Sequence, residues 1–170
     1  VYVLPGTCGA RTFISLDSVD EQRKTELKSR RSRDLIVFGA AIVVLAADQI
    51  SKYWVRHYLV YGVPWNPAPW LRPILSFTYV TNTGAAFGLF PSLGWFYTFI
   101  AATVTALILF FYKQLPSDKW LVQISLGMQL GGALGNLTDR LWHGRVIDFI
   151  DLNFWPLQEW PVFNLADSSL

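Results

Sequence analysis

The chain is poor in the residues that build disulfides and most metal sites. Its 170 residues include one cysteine, Cys8, and two histidines, His57 and His143. A single cysteine cannot form a disulfide framework or a cysteine metal cluster within the chain. The histidines also form no HxxxH or HExxH motif, which would indicate zinc. We therefore expect no metal site, so other side chains must carry the chemistry.

Charged residues are also scarce. They make up 15% of the chain against 52% hydrophobic residues, and the mean hydropathy is +0.32, which is high for a soluble globular protein. A helix of roughly 20 apolar residues crosses the bilayer core of about 30 Å. The apolar stretches therefore predict an all-α integral membrane protein with spanning helices at 35–55, 91–112 and 120–141.

The distribution of basic residues indicates the orientation of these helices. Lys113 and Lys119 flank the link between the second and third spans, and six basic residues precede the first: Arg23, Lys24, Lys28, Arg30, Arg31 and Arg33. By the positive-inside rule both regions are cytoplasmic. Membrane topology explains this charge more simply than a nucleic-acid partner does. We expect residues 1–33 to be a disordered basic tail and residues 34–170 to form the membrane domain.

The segments on the opposite, outer side of the membrane carry strand signals. LSFTYVTNTG (75–84) and VIDFIDLNFW (146–155) are rich in β-branched and aromatic residues and border turn residues, so we expect a small β-rich part there. GGALG (131–135) lies inside the third span, where closely spaced small residues favour helix packing over phosphate binding.

Polar side chains converge on the outer ends of the spans. Asp48 and Lys52 are four residues apart on one helix face, a spacing suited to an ion pair. Asn136, Asp139 and Arg140 end the third span. Ionisable groups at membrane depth cost a few kcal/mol each and usually face a protein interior or a wet cavity. We interpret the set as a site, together with four polar residues of the following segments: Asn82, Asp148, Asn164 and Asp167.

A carboxyl pair is the chemistry that these residues support best. Asp148 and Asp167 lie on separate segments, and if they meet they cannot both ionise cheaply, so they would share one proton. The ionised member can activate a water while the protonated member polarises a peptide carbonyl. Asp139, next to Arg140, is expected to form a structural ion pair. Asp151 is expected to point to the opposite side of its strand from Asp148.

Two other classes of function remain open from the residues alone. A small transporter or proton relay would use Asp48, Lys52 and Asp139, whereas a membrane scaffold would use the outer polar residues only as anchors. The relay is disfavoured because its charges gather at one leaflet instead of crossing the bilayer.

Five motifs in order resemble those of a known family: DQISK (48–52), NTGAAFG (82–88), GGALGNLTDR (131–140), GRVIDFID (144–151) and FNLAD (163–167). Over roughly residues 35–170 the chain resembles the bacterial lipoprotein signal peptidase, or signal peptidase II. The resemblance implies an intramembrane aspartic endopeptidase of the bacterial inner membrane, with four transmembrane helices, a small β-rich periplasmic part and no metal or cofactor.

The resemblance also implies a reaction and its residues. The family removes signal peptides from prolipoproteins, cuts before a cysteine that carries diacylglyceryl, and is inhibited by globomycin-type antibiotics. The catalytic pair falls on Asp148 and Asp167, and Gly132 matches a small position that gives the substrate room. Supporting or substrate-binding positions fall on Asp48, Lys52, Asn82, Asn136, Arg140 and Asn164.

The chain departs from the family at its end. FNLAD opens the family's fourth helix, but only three residues follow Asp167, too few for a spanning helix. We therefore expect three complete spans in a fragment or truncated product. Because a loosely held catalytic group loses much of its rate, we also expect this polypeptide to be weakly active or inactive without a fourth helix.

Overall fold

Four helices form most of the structure. A computed structural model of the protein describes residues 16–84, 94–114 and 119–170. The helices are α1 (Leu16–Tyr58), α2 (Gly94–Phe111), α3 (Trp120–His143) and the single-turn α4 (Leu165–Ser168). Short 3-10 turns cover Pro69–Leu71, Tyr112–Gln114 and Leu157–Glu159.

The segments between the helices form a three-stranded antiparallel sheet. Its order is β1 (Pro64–Trp65), β2 (Leu75–Asn82) and β3 (Val146–Leu152), so both predicted strands are confirmed. In the β2–β3 register Phe77 pairs with Ile150 and Val80 with Asp148, with an irregularity between the two pairs. This register places Asp148 near the end of β2, where Asn82 lies.

Helix α1 is longer than the sequence analysis predicted. Residues 16–33 are helical and continue into the apolar part of α1, so the expected disordered tail is wrong for these residues. The segment contains strong helix formers and no glycine or proline, and Asp20–Lys24 and Glu26–Arg30 have the i,i+4 spacing that stabilises helices. Residues 1–15 lie outside the described residues.

Two of the described helices are long and apolar enough to cross a membrane, Asp17–Tyr58 and Trp95–Gln114, each with a mean hydropathy of 1.8 in its most apolar window. Only 17% and 11% of those windows are buried, so most of this apolar surface faces outward. Helix α3, at 24 residues, has the length of the third predicted span. It does not reach the same hydropathy, because glutamine, asparagine and glycine interrupt its apolar residues.

Small residues let α1 and α3 pack closely. A Cβ on Gly131 would lie 2.6 Å from the Ala41 carbonyl oxygen, and a Cβ on Gly127 would also collide with the α1 backbone. Val37, Ala41 and Leu130 are buried in the hydrophobic cluster beside this contact. The predicted packing role of GGALG is therefore confirmed for its first glycine, and the close contact brings the outer polar ends of α1 and α3 together.

Candidate active site

Three charged residues form a buried ion cluster between α1 and α3. Lys52 Nζ lies 2.8 Å from Asp48 Oδ2 and 2.9 Å from Asp139 Oδ2. All three residues are at most 1% exposed. The predicted Asp48–Lys52 pair is therefore confirmed. Asp139 forms the structural ion pair that we expected for it, and its partner is Lys52.

The ion cluster also holds the backbone of neighbouring elements. Asp48 Oδ1 accepts a hydrogen bond from Ala166 N at 3.0 Å, and Asp139 Oδ2 accepts one from Ile147 N at 3.1 Å. Gln49 Nε2 donates to Asp48 at 3.1 Å and lies 3.3 Å from Asp139 Oδ1. The cluster thus joins α1, α3, β3 and α4.

Asp148 of β3 and Asp167 of α4 line one cavity of about 300 Å³. Arg140 and the amides of Asn82 and Asn136 line it as well. The remaining wall is mostly apolar and includes Val146, Trp160, Pro161, Val162 and Phe163. The cavity therefore combines two acids, a cation and amides with an apolar surface.

Two asparagine amides connect the carboxyl groups. Asn164 Nδ2 donates to Asp148 Oδ1 at 2.6 Å, and Asn136 Nδ2 donates to Asp167 Oδ1 at 2.7 Å. Asn164 Nδ2 also lies 3.1 Å from Asn136 Oδ1. A continuous hydrogen-bonded path, Asp148–Asn164–Asn136–Asp167, therefore fixes the two acids relative to each other.

The start of α4 explains the position of Asp167. Asn164 is the N-cap: its side chain accepts from Asp167 N at 2.9 Å, and Asp167 Oδ2 accepts from Asn164 N at 3.2 Å. This reciprocal capping box satisfies two backbone donors at the helix start. The capping box within FNLAD therefore helps to orient the Asp167 carboxyl group, which lines the cavity.

The two carboxyl groups have different surroundings. Asp148 is 2% exposed, whereas Asp167 is exposed. Burial, and then the nearby negative charge of Asp167, raise the pKa of Asp148 to about 7 against the smaller opposing effects of Asn164, Asn82 and Lys52. A carboxyl group with this pKa carries a proton through much of the neutral range, as a general acid requires. Among the described residues, no group of three histidine, cysteine, aspartate or glutamate side chains could hold a metal ion.

Comparison with known proteins decides the family. The family model described as Signal peptidase (SPase) II matches residues 40–170. The chain belongs to the signal peptidase II family. It is thus a peptidase, and with its apolar helices this family places it among the membrane proteins of bacteria.

Individual relatives support this assignment. The chain is 44% identical to the lipoprotein signal peptidase of Moorella thermoacetica over 76% of this chain and 81% of the relative. It is 41% identical to that of Teredinibacter turnerae over 78% and 79%, and 38% identical to that of Shewanella pealeana over 78% of each.

Two solved structures, described as bacterial membrane enzymes determined by the in meso method, have TM-scores of 0.70 and 0.68 at 30% identity. Each covers 79% of this chain, and the match covers 79% and 84% of those chains respectively.

The structure places the residues expected from signal peptidase II in two groups. Asp148, Asp167, Asn82, Asn136 and Arg140 line the cavity, and the buried Asn164 links the pair from behind it. Asp48 and Lys52 belong to the ion cluster instead.

Gly132 packs against α4 and does not line the cavity. A Cβ there would lie 2.5 Å from Ala166 O and would collide with the Ser169 side chain. Its expected role in giving the substrate room stays a prediction for this signal peptidase II.

Asp151 lies away from the carboxyl pair, as expected. It accepts a hydrogen bond from Thr78 Oγ1 at 2.7 Å and does not line the cavity. Sequence reasoning missed the cavity wall formed by Trp160–Phe163, which is held by the bridge between Phe163 and Ile150. No local signal in the sequence indicates this long-range bridge.

Proposed function

We propose that this signal peptidase II, which removes signal peptides from lipoproteins, is an aspartic endopeptidase with Asp148 and Asp167 as its catalytic pair. One observation carries the proposal: both carboxyl groups line the same cavity and are joined by the Asn164 and Asn136 amides. The raised pKa of Asp148 supports it further, since two acids with unlike protonation are suited to acid–base chemistry.

The reaction uses one ionised and one protonated member of the pair. The carboxylate removes a proton from water, the resulting hydroxide attacks the peptide carbonyl carbon, and the carboxylic acid protonates the carbonyl oxygen. In the second step the newly protonated member protonates the leaving amine as the C–N bond breaks. The other member takes the remaining hydroxyl proton back. The pair then returns to its starting state.

The neighbouring polar side chains orient the pair and the substrate. Asn164 and Asn136 hold the carboxyl groups by the hydrogen bonds described above, and Asn82 and Arg140 line the cavity where an extended peptide can bind. Asp48 and Lys52 support the pair from the ion cluster, and Gly132 supports it by admitting α4 close to α3.

The substrate is a prolipoprotein whose cysteine carries diacylglyceryl, and the cut precedes that cysteine. The apolar wall from Trp160 to Phe163 is suited to a signal peptide and its lipid, since such walls favour apolar groups. Globomycin-type antibiotics would compete for the same cavity, and membrane lipids would surround the outward apolar surface of α1 and α2. No cofactor takes part.

The orientation follows from the basic residues near the start of α1. The N-terminus is in the cytoplasm, the chain passes the inner membrane several times, and the cavity faces the periplasm. The membrane domain spans residues 34–170.

The test is cleavage of a purified diacylglyceryl prolipoprotein in detergent or lipid by Asp148→Asn and Asp167→Asn. Asp151→Asn is the matched control, because Asp151 lies on the same strand as Asp148 but bonds Thr78 outside the cavity. Each variant is made in the same protein, and its turnover is compared with that of the unsubstituted parent.

We expect each cavity variant to lose about a thousandfold or more in turnover, a typical size for losing a catalytic acid or base. Asp151→Asn should stay within about threefold of the parent, and all variants should keep their helical circular dichroism. Turnover by either cavity variant at the rate of Asp151→Asn would refute the proposed pair.

A further inference from the structure

The Asn136 amide joins the ion cluster to the carboxyl pair. Its Oδ1 accepts from Lys52 Nζ at 3.0 Å, and its Nδ2 donates to Asp167 Oδ1 at 2.7 Å. An ammonium group can only donate, so Lys52 fixes which end of the amide faces it. The NH₂ end must then face Asp167.

The number of hydrogens on the Asn164 amide explains why Asn136 Oδ1 needs Lys52 as a donor. Asn164 Nδ2 lies within hydrogen-bond distance of three acceptors, Asn136 Oδ1 at 3.1 Å, Ile147 O at 3.2 Å and Asp148 Oδ1 at 2.6 Å. A primary amide has two hydrogens, so it cannot fully satisfy all three acceptors. Lys52 supplies a dedicated donor to Asn136 Oδ1 at 3.0 Å, so this oxygen does not depend on the Asn164 hydrogen that it shares with Ile147 O.

The two carboxyl groups are consequently unequal. Exposed Asp167 receives the Asn136 amide on Oδ1 and the Asn164 backbone N–H on Oδ2, and of the three acids near Arg140 it feels that positive charge most. Asp148 is buried, which penalises its ionised form. Donors and solvent therefore favour charge on Asp167, and burial favours a proton on Asp148.

We propose that Lys52 is a positioning residue, which holds the Asn136 amide as a permanent donor to Asp167. Asp167 is then the member that removes the proton from water, and Asp148 is the member that protonates the substrate carbonyl oxygen. This inference rests on the proposed function, and it assigns the two roles that a symmetric pair would leave open.

Other charges act on the same pair. Asp139 and Arg140 face it from α3, and Asp48 and Lys52 from α1. Removing Lys52 therefore changes both the hydrogen bond to Asn136 and the local net charge. A useful test has to separate these two effects.

The test compares pH profiles of kcat/KM for Lys52→Met, Asp48→Asn and the double variant Asp48→Asn/Lys52→Met. With its acids ionised the ion cluster has a net charge of −1, and the double variant keeps this net charge while it loses the lysine donor. Leu130→Ala serves as a control for stability, because Leu130 is buried in the hydrophobic cluster between α1 and α3.

We expect the acidic limb of the kcat/KM profile to move up by about one pH unit in Lys52→Met and in the double variant, because the carboxylate that acts as the base loses its amide donor, with kcat reduced and KM within about threefold. Leu130→Ala should leave this limb in place, and Asp48→Asn, which removes a negative charge near the pair, should not move it up. An unmoved limb in a folded variant without Lys52 would overturn the positioning role, and so would an equal shift in Asp48→Asn.

Infrared difference spectroscopy tests the assignment without a Lys52 variant. At pH 6 the parent should show a protonated-carboxyl band that Asp148→Asn removes and Asp167→Asn retains. The reverse pattern would overturn the assignment even if no Lys52 variant folds. The two proposals fail separately, since full turnover by Asp148→Asn or Asp167→Asn removes the catalytic pair, whereas loss of turnover with the reverse band pattern removes only the assignment.

Discussion

The ion cluster and the carboxyl pair each contain two aspartates at the same end of the molecule, but their surroundings differ. In the cluster the Lys52 ammonium lies 2.8 and 2.9 Å from the two acids. In the pair the neutral amides of Asn136 and Asn164 contact them, and the pKa of Asp148 rises to about 7. The cation between the two carboxylates of the ion cluster forms a structural link between helices. The neutral amides of the carboxyl pair leave Asp148 with a pKa near neutral pH.

The largest expected effect comes from removing the cation of the ion cluster. Lys52→Met leaves Asp48 and Asp139 buried without a positive partner, so we expect the free energy of unfolding to fall by about 3–5 kcal/mol. Denaturant unfolding in micelles measures this loss. Lys28→Met, which changes an exposed lysine of α1, should cost less than about 0.5 kcal/mol. A loss below about 1 kcal/mol for Lys52→Met would contradict the importance of the cation.

The converse change, Asn82→Lys, adds a positive charge beside the carboxyl pair. Asn82 donates a hydrogen bond to Asp148, so Asn82→Lys should lower the pKa of Asp148 and remove its proton near pH 7. We expect turnover at pH 7 to fall about a hundredfold, with the basic limb of the pH–rate profile moved to lower pH.

Asn82→Leu provides the matched comparison for that lysine. It removes the same amide without adding charge, so it should move the basic limb to higher pH. Shifts in the same direction for both variants would show that the charge is not the cause.

A smaller effect concerns how the free energy of unfolding depends on pH. The pKa of Asp148 is raised in the folded state, so the folded protein binds more protons than the unfolded chain between about pH 4 and pH 7. Stability therefore falls as pH rises through this window. Asp148→Asn removes that loss and should stabilise the protein by about 2 kcal/mol at pH 8 and by little at pH 4. Equal effects on the melting temperature at both pH values would contradict this explanation.

The smallest effect concerns Asp151, whose partner is a hydroxyl group. Thr78→Val removes the 2.7 Å hydrogen bond to this half-buried acid, so it should cost about 1 kcal/mol of stability. Turnover should be unchanged, since neither residue lines the cavity. A large loss of turnover would instead show that Asp151 takes part in the reaction.

Spacing within single elements was sufficient to predict part of the site. The i,i+4 interval predicted the Asp48–Lys52 pair, and the strand pattern predicted β2 and β3. Local rules of this kind depend on residues that are near in sequence. The chemistry of the acids suggested Asp148 and Asp167 as a pair, and the motifs placed the catalytic pair on the same two residues. Both line one cavity, whereas their catalytic role stays a prediction.

Contacts between distant segments could not be predicted in the same way. The bond from Lys52 to Asp139 depends on how closely α1 approaches α3, which the glycines set in three dimensions. The cavity wall at Phe163 depends on a bridge to Ile150. The helical segment 16–33 was missed because polarity was taken to indicate disorder, although its residues favour helix.

The length of α1 has a mechanical consequence. At 1.5 Å per residue its 43 residues extend about 64 Å, roughly twice the thickness of a bilayer core. Lys24 near one end and Lys52 near the other are thus joined by about 42 Å of uninterrupted helix. A small tilt of α1 about Lys52 would therefore displace Lys24 by a larger distance. A probe attached at Lys24 would report that tilt.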